Sequence, residues 1–353
     1  MDLQFAHEWP HQRVVFAPGD AARAVAEEVK ALESERLMVI AGHSESDLAD
    51  RIVAELPVAL RHDEVVMHVP VEVAERARVA AATANADAIL SVGGGSTTGL
   101  AKAVALTTGL PIVAVPTTYA GSEATSVWGL TERSRKTTGV DARVLPRSVV
   151  YDADLTMTLP VPLSVASGLN ALAHCVDSMW APRADPIDRA VASEGIAALH
   201  TGLPLVVDDA HDTQGRQLSL YGAYLSAIAF SSAGSGLHHK ICHVLGGMFG
   251  LPHAQTHAVV LPHVLALNAP HSPNSAARIA RALDASDALT GLLALRDRVD
   301  APRALRDLGL AEDDLASAVE PILEAAPSDN PAPLDPETIT RVLHAASEGS
   351  DPS

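Results

Sequence analysis

The stretch "AILSVGGGSTTGLAKAVAL", residues 88–106, decides how the first half of the chain is read. "AILSV" is a short apolar run of the kind found in strands buried on both faces. Gly93, Gly94 and Gly95 follow, and a helix is predicted to begin near Ser96. Glycines let a backbone approach a ligand closely, and a helix start offers unpaired N–H groups and a favourable dipole, which together suit a phosphate. The pattern is neither GxGxxG nor GxxxxGK[ST], because Lys102 comes a helical turn too late and is followed by Ala103. A tight turn without a ligand is the competing reading of this loop taken alone.

Outward from it, "LMVIA" (37–41), "VVMHV" (65–69), "PIVAV" (111–115) and "SVVY" (148–151) are further short apolar runs predicted as strands. Between them "DAARAVAEEVKAL" (20–32), with Asp20 as the predicted N-cap, and "VEVAERARVAAATA" (71–84) carry a helical amphipathic period. Strand and helix alternating in this way predict a doubly wound parallel sheet, which binds ligands at the carboxyl ends of its strands. On that edge "VPTTYAGSEATS" (115–126) places the hydroxyls of Thr117, Thr118 and Ser122, suited to a ribose or a carboxamide. Two adjacent strand ends of this character point to a dinucleotide site. "VIAGHSES" (39–46) has Gly42, His43 and Ser44 where a Rossmann domain for NAD carries an acidic residue, which leaves NADH and NADPH both open.

After "YDADLTMTLP" (151–160) the texture changes to Ala- and Leu-rich segments of helical period. The predicted division is an α/β dinucleotide-binding domain over 1–160 and an all-α substrate domain over 161–353. "APSDNPAPLDP" (326–336) reads as a loop before a last helix, and the tail "EGSDPS" is predicted to fray. "GLHHKICHVLGGMFGLPHAQTHAVVLPH" (236–263) gathers six of the chain's 16 histidines: His238, His239, His243, His253, His257 and His263. Asn170 and His174, His239 and His243, and His253 and His257 are each four apart, so within helices each pair faces one way. A single pair reads as a solvated or internally bonded histidine. Three pairs in one apolar helical domain point to a shared inward-facing site. Gly250 and Pro252 form a turn just before His253, which lets that ring point back from a helix start.

The length of 353 residues suits two domains, and 48% hydrophobic with 19% charged residues describes a globular protein. With 25 basic against 43 acidic residues the net charge is -18, which repels nucleic acid and anionic membrane surfaces. An anionic substrate therefore needs a locally positive pocket. "MDLQFAHEWPHQRVVFAPG" has no pattern of an export signal, and no run of roughly 18 apolar residues suggests a membrane span. Cys175 and Cys242 are too few for a disulfide framework and read as small buried hydrophobes in a reducing cytoplasm.

"GGGSTTGLAKA", "PTTYAGSE", "SGLNALAHCVDSMWAP" and "HHKICHVLGGMFGLPHAQTHAVVLPHVLALN" resemble the iron-containing alcohol dehydrogenase superfamily, specifically its maleylacetate reductase branch. "VVMHVPVEVAE" (65–75) and "DNPAPL" (329–334) extend the likeness nearly end to end. The resemblance implies reduction of maleylacetate to 3-oxoadipate with NADH or NADPH, a late step in aromatic-ring degradation. It also implies a dehydroquinate synthase-like architecture, with a dinucleotide-binding domain, a helical domain, a cleft between them and a homodimer. Position by position, Gly93, Gly94, Gly95 and Ser96 match the family's pyrophosphate loop, Thr117 and Thr118 its nucleotide contacts, and Lys136 a lysine near the cofactor. His174, His239 and His253 match the three histidine ligands of metal-using members, and His243 a histidine close to the substrate.

Two positions depart from the wider family. Asn170 stands where the ligand Asp would be, and Gly99 where many relatives have Asp. A neutral amide in place of the carboxylate removes the only anionic ligand, although three histidines can still hold Zn²⁺. The same Asn is similar to the maleylacetate reductase pattern, which implies catalysis without metal. In that chemistry His243, with His239 and His174 beside it, is expected to supply a hydrogen bond and a proton, an imidazolium replacing the metal. The substrate that the resemblance implies is a small dicarboxylate, and Lys240 and Arg183 are candidates for its ends by location only. Competing readings are a metal-dependent alcohol or polyol dehydrogenase, a zinc-dependent lyase such as a dehydroquinate synthase, and a histidine-rich metal carrier. Asn170 counts against the lyase, and the apolar setting of the histidines against the carrier.

Overall fold

The computed structural model describes residues 4–132 and 135–352, and the side chains of Arg135 and Lys136 lie outside the described residues. The chain divides into two compact units, Pro10–Leu159 and Pro160–Ser353, with Met1–Trp9 grouping with the second. The sequence reading had assigned that N-terminal segment to the α/β domain.

The first unit runs β1 (Arg13–Phe16), α1 (Ala21–Ala31), β2 (Leu37–Ile40), α2 (Ser46–Ile52), β3 (Val58–His62), α3 (Val71–Thr83), β4 (Ala88–Gly93) and α4 (Gly95–Thr108). It continues through β5 (Ile112–Pro116), β6 (Val127–Glu132), β7 (Arg135–Val140) and β8 (Ser148–Tyr151). Six strands form a parallel sheet in the order β1-β8-β5-β4-β2-β3, and β6 and β7 pair as a separate antiparallel hairpin. Side chains alternate across the sheet. Leu37, Val39, Leu90 and Val92 pack with α1 and α2 on one face, while Met38, Ile40 and Ile89 pack with α3 and α4 on the other. Burial on both faces explains why β2, β4, β5 and β8 read as unbroken apolar runs.

The expected strand at 65–69 is absent. The edge strand is β3, over residues 58–62, and the chain beyond it turns through His68 (φ 66°) and Val69 (φ 49°) with Met67 exposed. Left-handed backbone is strained for a β-branched residue. Here it is held by Thr131, whose N–H and hydroxyl donate to the carbonyls of Val69 (3.1 Å) and His68 (2.8 Å). Val69 Cγ2 lies 3.0 Å from where a Cβ on Gly99 would stand. Asp20 occupies the N-cap of α1 without capping it, and its carboxylate instead accepts from Arg23 Nε at 2.6 Å. Asp152, beyond β8, accepts from the N–H groups of Gly19 (2.9 Å) and Ala21 (3.2 Å) in its place.

The second unit comprises α5 (Val161–Asp177), α6 (Pro186–Asp208), α7 (Thr213–Ala233), α8 (Leu237–Phe249) and α9 (His253–Asn268). It ends with α10 (Pro273–Ala282), α11 (Ala288–Arg298), α12 (Leu315–Ala325) and α13 (Pro336–Glu348). Among the described residues only α6 is long and apolar enough to cross a membrane, and its buried side packs in the bundle against α5 and α7. A Cβ on Gly202 would lie 2.9 Å from the Gly215 carbonyl, so α6 and α7 touch almost backbone to backbone. A capping box of Asp185 and Asp188 starts α6, and His7 joins it through a 2.7 Å contact of Nδ1 with Asp185 Oδ2. In the tail, Asp351 accepts from Arg296 Nη2 at 2.6 Å.

Candidate active site

At the carboxyl edge of the sheet, Gly93 adopts φ 150°, and a Cβ there would stand 2.4 Å from Thr97 Oγ1, so only glycine fits. Its carbonyl accepts from the Thr117 N–H at 3.2 Å, which ties the end of β4 to the end of β5. A Cβ on Gly94 would meet Thr118 Cγ2 at 3.0 Å, and one on Gly95 would meet Ala120 at 3.3 Å. Gly93, Gly94, Gly95, Ser96, Thr117 and Thr118 therefore share one small cradle. No side chain caps α4, which leaves its first N–H groups, with that of Ser96 among them, available to an anion. The cradle fits a pyrophosphate. Ser122 opens a short turn after it and is half-buried, its carbonyl accepting from Thr125 Oγ1 at 3.2 Å. Lys136 lies on β7, and its side chain is outside the described residues.

Sequence reasoning missed what supports the Thr117–Ser122 loop. Lys102 is fully buried, and its Nζ donates to the Thr125 carbonyl (2.7 Å), Thr125 Oγ1 (3.1 Å) and the Val127 carbonyl (2.8 Å). Burial pushes this amine down to about 7, against a smaller opposing pull from Glu123. Glu123, also buried and raised by burial, accepts from the Tyr151 hydroxyl at 2.8 Å. The clue was a lysine flanked by Ala101 and Ala103 in an apolar helix, noticed only as a poor match to a P-loop.

In the helical unit α5, α8 and α9 bring the histidine pairs together. Ring centroids are 4.6 Å apart for His174 and His239, 4.5 Å for His239 and His257, and 4.3 Å for His253 and His257. His243 stands 5.7 Å from His239 and 6.1 Å from His253. His238 joins through His257 at 4.9 Å, and Phe230, unforeseen, stacks on His174 at 4.7 Å and lies 4.3 Å from His239. His263 lies elsewhere on α9, near Arg296, its pKa lowered by burial to about 4.

His174, His238, His239 and His257 are buried, whereas His243 and His253 are exposed. Burial, reinforced by neighbouring rings, pushes His174 down to about 3 and His239 and His257 well below the usual range. Desolvation likewise takes His238 to about 4. Burial thus favours the neutral form of His174, His238, His239 and His257. Asp177, fully buried, accepts at Oδ2 from the N–H groups of Gly236 (3.0 Å) and His239 (3.2 Å). The same oxygen lies 3.1 Å from His239 Nδ1, and when ionised it favours the tautomer with its hydrogen on Nδ1. Burial raises the Asp177 carboxyl to about 7 against those donors. A Cβ on Gly236 would stand 2.4 Å from Asp177 Oδ1, so glycine makes the approach possible.

The donor set lacks an anionic ligand of the kind an iron site usually has. His238, His239 and His257 offer nitrogens within 4.8 Å of one another, a different trio from the expected His174, His239 and His253. The oxygen offered is Asn170 Oδ1, buried and without a partner among the described residues, and it is an amide. Asp177, the carboxylate beside His239, accepts from a backbone turn and lies against the ring nitrogen. Three neutral imidazoles and an amide leave a dication without an anionic ligand. Arg183 is occupied, donating to the carbonyls of Ser232 (3.0 Å) and Ser231 (3.3 Å), while Lys240 is half-buried beside the cluster.

Residues 11–153 match the family described as iron-containing alcohol dehydrogenase, and residues 164–347 the Fe-containing alcohol dehydrogenase family, C-terminal. A maleylacetate reductase of Pseudomonas knackmussii is 44% identical, the match covering 99% of this chain and 100% of that protein. The crystal structure of an iron-containing alcohol dehydrogenase from Corynebacterium glutamicum superposes with a TM-score of 0.98 at 56% identity, covering 100% of this chain and 99% of that one. That of maleylacetate reductase from Agrobacterium tumefaciens gives 0.95 at 40% identity, with 99% and 100% covered. The glycine cradle on one unit and the ringed histidines on the other are thus the parts of a known design, and the chain belongs to the iron-containing alcohol dehydrogenase family, in its maleylacetate reductase branch.

Proposed function

We propose that this oxidoreductase reduces maleylacetate to 3-oxoadipate, consuming NADH or NADPH and one proton, and that it needs no iron to do so. The observation that carries the reading is the end-to-end similarity to maleylacetate reductases. Gly93, Gly94, Gly95 and Ser96 would hold the pyrophosphate of the dinucleotide, whose dihydronicotinamide would supply hydride chemistry for the substrate's carbon–carbon double bond, which is conjugated to a ketone. Hydride adds to the alkene carbon farther from the ketone, negative charge collects on the ketone oxygen, and a proton completes the nearer carbon. Donors placed near that oxygen lower the barrier. His243, the exposed ring 5.7 Å from His239, is the donor and proton source. His239, oriented by Asp177, and His174, stacked on Phe230, act as neutral partners that keep the site shaped and dry. The half-buried Lys240 is the candidate for one substrate carboxylate.

The metal-free reading is supported by donor chemistry, with Asn170 replacing the carboxylate an iron site needs. A second reading, a metal-dependent alcohol or polyol dehydrogenase, is favoured by the name given to the 56% identical Corynebacterium structure. Two free, buried cysteines and the family resemblance support a cytoplasmic homodimer, and the net charge of -18 disfavours nucleic acid and anionic membranes as partners. The test is absorbance-monitored consumption of NADH and NADPH with maleylacetate, on metal-analysed protein with and without EDTA. Turnover to 3-oxoadipate unaffected by EDTA is expected. Absence of turnover refutes the reading, and loss in EDTA restored by iron transfers it to the metal-dependent alternative.

A further inference from the structure

The register of β2 against β4, Leu37 with Ala88 through Ile40 with Ser91, carries two residues further to set Gly42 level with Gly93. Gly42 therefore sits one strand over from the pyrophosphate cradle. In parallel dinucleotide domains a side-chain carboxylate at this place accepts from the adenosine ribose 2'-hydroxyl. Gly42 has none to offer. The chain, however, turns at once through His43–Glu45, and this turn folds Glu45 back over the strand end. A Cβ on Gly42 would stand only 3.0 Å from Glu45 Oε2, within the reach of an aspartate's own carboxylate. Ser44 Oγ donates to that oxygen at 2.7 Å and fixes it.

The rim around it is acidic. His43 Nδ1 lies 3.5 Å from Asp63 Oδ2, Arg76 Nε donates to Glu64 at 2.8 Å, and Arg61 pairs with Asp50. A 2'-phosphate would add nearly two negative charges beside Glu45, where the described cations His43, Arg61 and Arg76 already face carboxylates.

Building on the coenzyme-dependent reading above, we propose that Glu45 supplies from the following turn the ribose-binding carboxylate missing at Gly42, and so makes this chain select NADH over NADPH. Gly42 itself, at φ -66°, is compatible with any side chain.

The experiment is fluorescence titration of the whole protein with NADH and with NADPH, beside kcat/KM for each coenzyme with maleylacetate. NADH is expected to bind about tenfold or more tighter, and Glu45→Gln to erase that ratio by weakening NADH, as loss of a charged hydrogen bond should. Adding Gly42→Asp to Glu45→Ala is expected to restore it. NADPH bound as tightly as NADH, a ratio unmoved by Glu45→Gln, or no recovery in the double variant overturns the assignment. If maleylacetate is still reduced in those cases, the proposed function stands. If neither coenzyme binds or is oxidised, both fall.

Discussion

His239 Nδ1 lies 3.1 Å from Asp177 Oδ2 in the protein interior, and this contact decides which nitrogen of the ring faces the cluster. Asp177→Asn is expected to lower kcat by about 10–100-fold, since the amide can turn its N–H toward the ring and reverse the tautomer. Asp177→Ala should also destabilise by roughly 1–3 kcal/mol, because the Gly236 and His239 N–H groups lose their acceptor. Steady-state kinetics and urea unfolding of the two variants separate these effects. Full activity in Asp177→Asn would contradict the orienting role.

His243→Ala should cut turnover by about a hundredfold or more while leaving NADH affinity and the melting temperature nearly unchanged, because the ring is exposed. Undiminished kcat with saturating coenzyme would remove His243 from the chemistry.

Lys102→Met orphans the carbonyls of Thr125 and Val127, for a net loss on the order of 2 kcal/mol, and should raise KM for the coenzyme through the loosened loop. With Lys102 lowered to about 7 from 10.5, the folded state holds its proton less tightly than the unfolded chain. Between these pH values the folded state binds fewer protons, so this group's contribution to stability rises with pH. Below about 7 both states are protonated and burying the ammonium costs most. Urea midpoints of wild type and variant at neutral pH and at about pH 9 should therefore diverge, with wild type gaining. A constant gap would show the amine is not depressed.

Asn170→Asp restores an anionic oxygen beside the imidazoles and should create divalent-metal binding. Elemental analysis after incubation with Fe(II) or Zn(II) and desalting is expected to find near-stoichiometric metal in the variant and little in the parent. Equal loading of both would mean that the carboxylate does not decide metal affinity here.

Gly93→Ala forces a Cβ against Thr97 at φ 150° and should cost roughly 1–3 kcal/mol, with a marked loss of coenzyme affinity. A variant as stable and as tight-binding as the parent would show that the turn can rearrange.

The central strands were legible because burial on both faces leaves an unbroken apolar run, as in "LMVI" and "AILSVG". At the sheet edge that signal fails. β3, "VALRH", alternates half-buried and exposed positions and reads as less apolar than the nearby "VVMHV", which forms a turn. The hairpin of β6, "VWGLTE", and β7, "RKTTGV", lies outside the main sheet and carries no unbroken apolar run. The histidine pairs were legible through their four-residue spacing, because helices turn that spacing into a common face. Asp177 continued the Asn170–His174 stripe three residues on and was readable in principle, whereas Phe230 reaches the cluster from a separate helix and gave no local cue.

The contact between Val69 and Gly99 constrains the routes by which this protein can change. Any side chain gained at 99 meets the Val69 methyl at 3.0 Å, so the valine on the bend at 68–69 must give way to admit it. Crowding at this point therefore couples residue 99 to residue 69, and a larger side chain at 99 is expected to be accepted best together with a smaller one at 69.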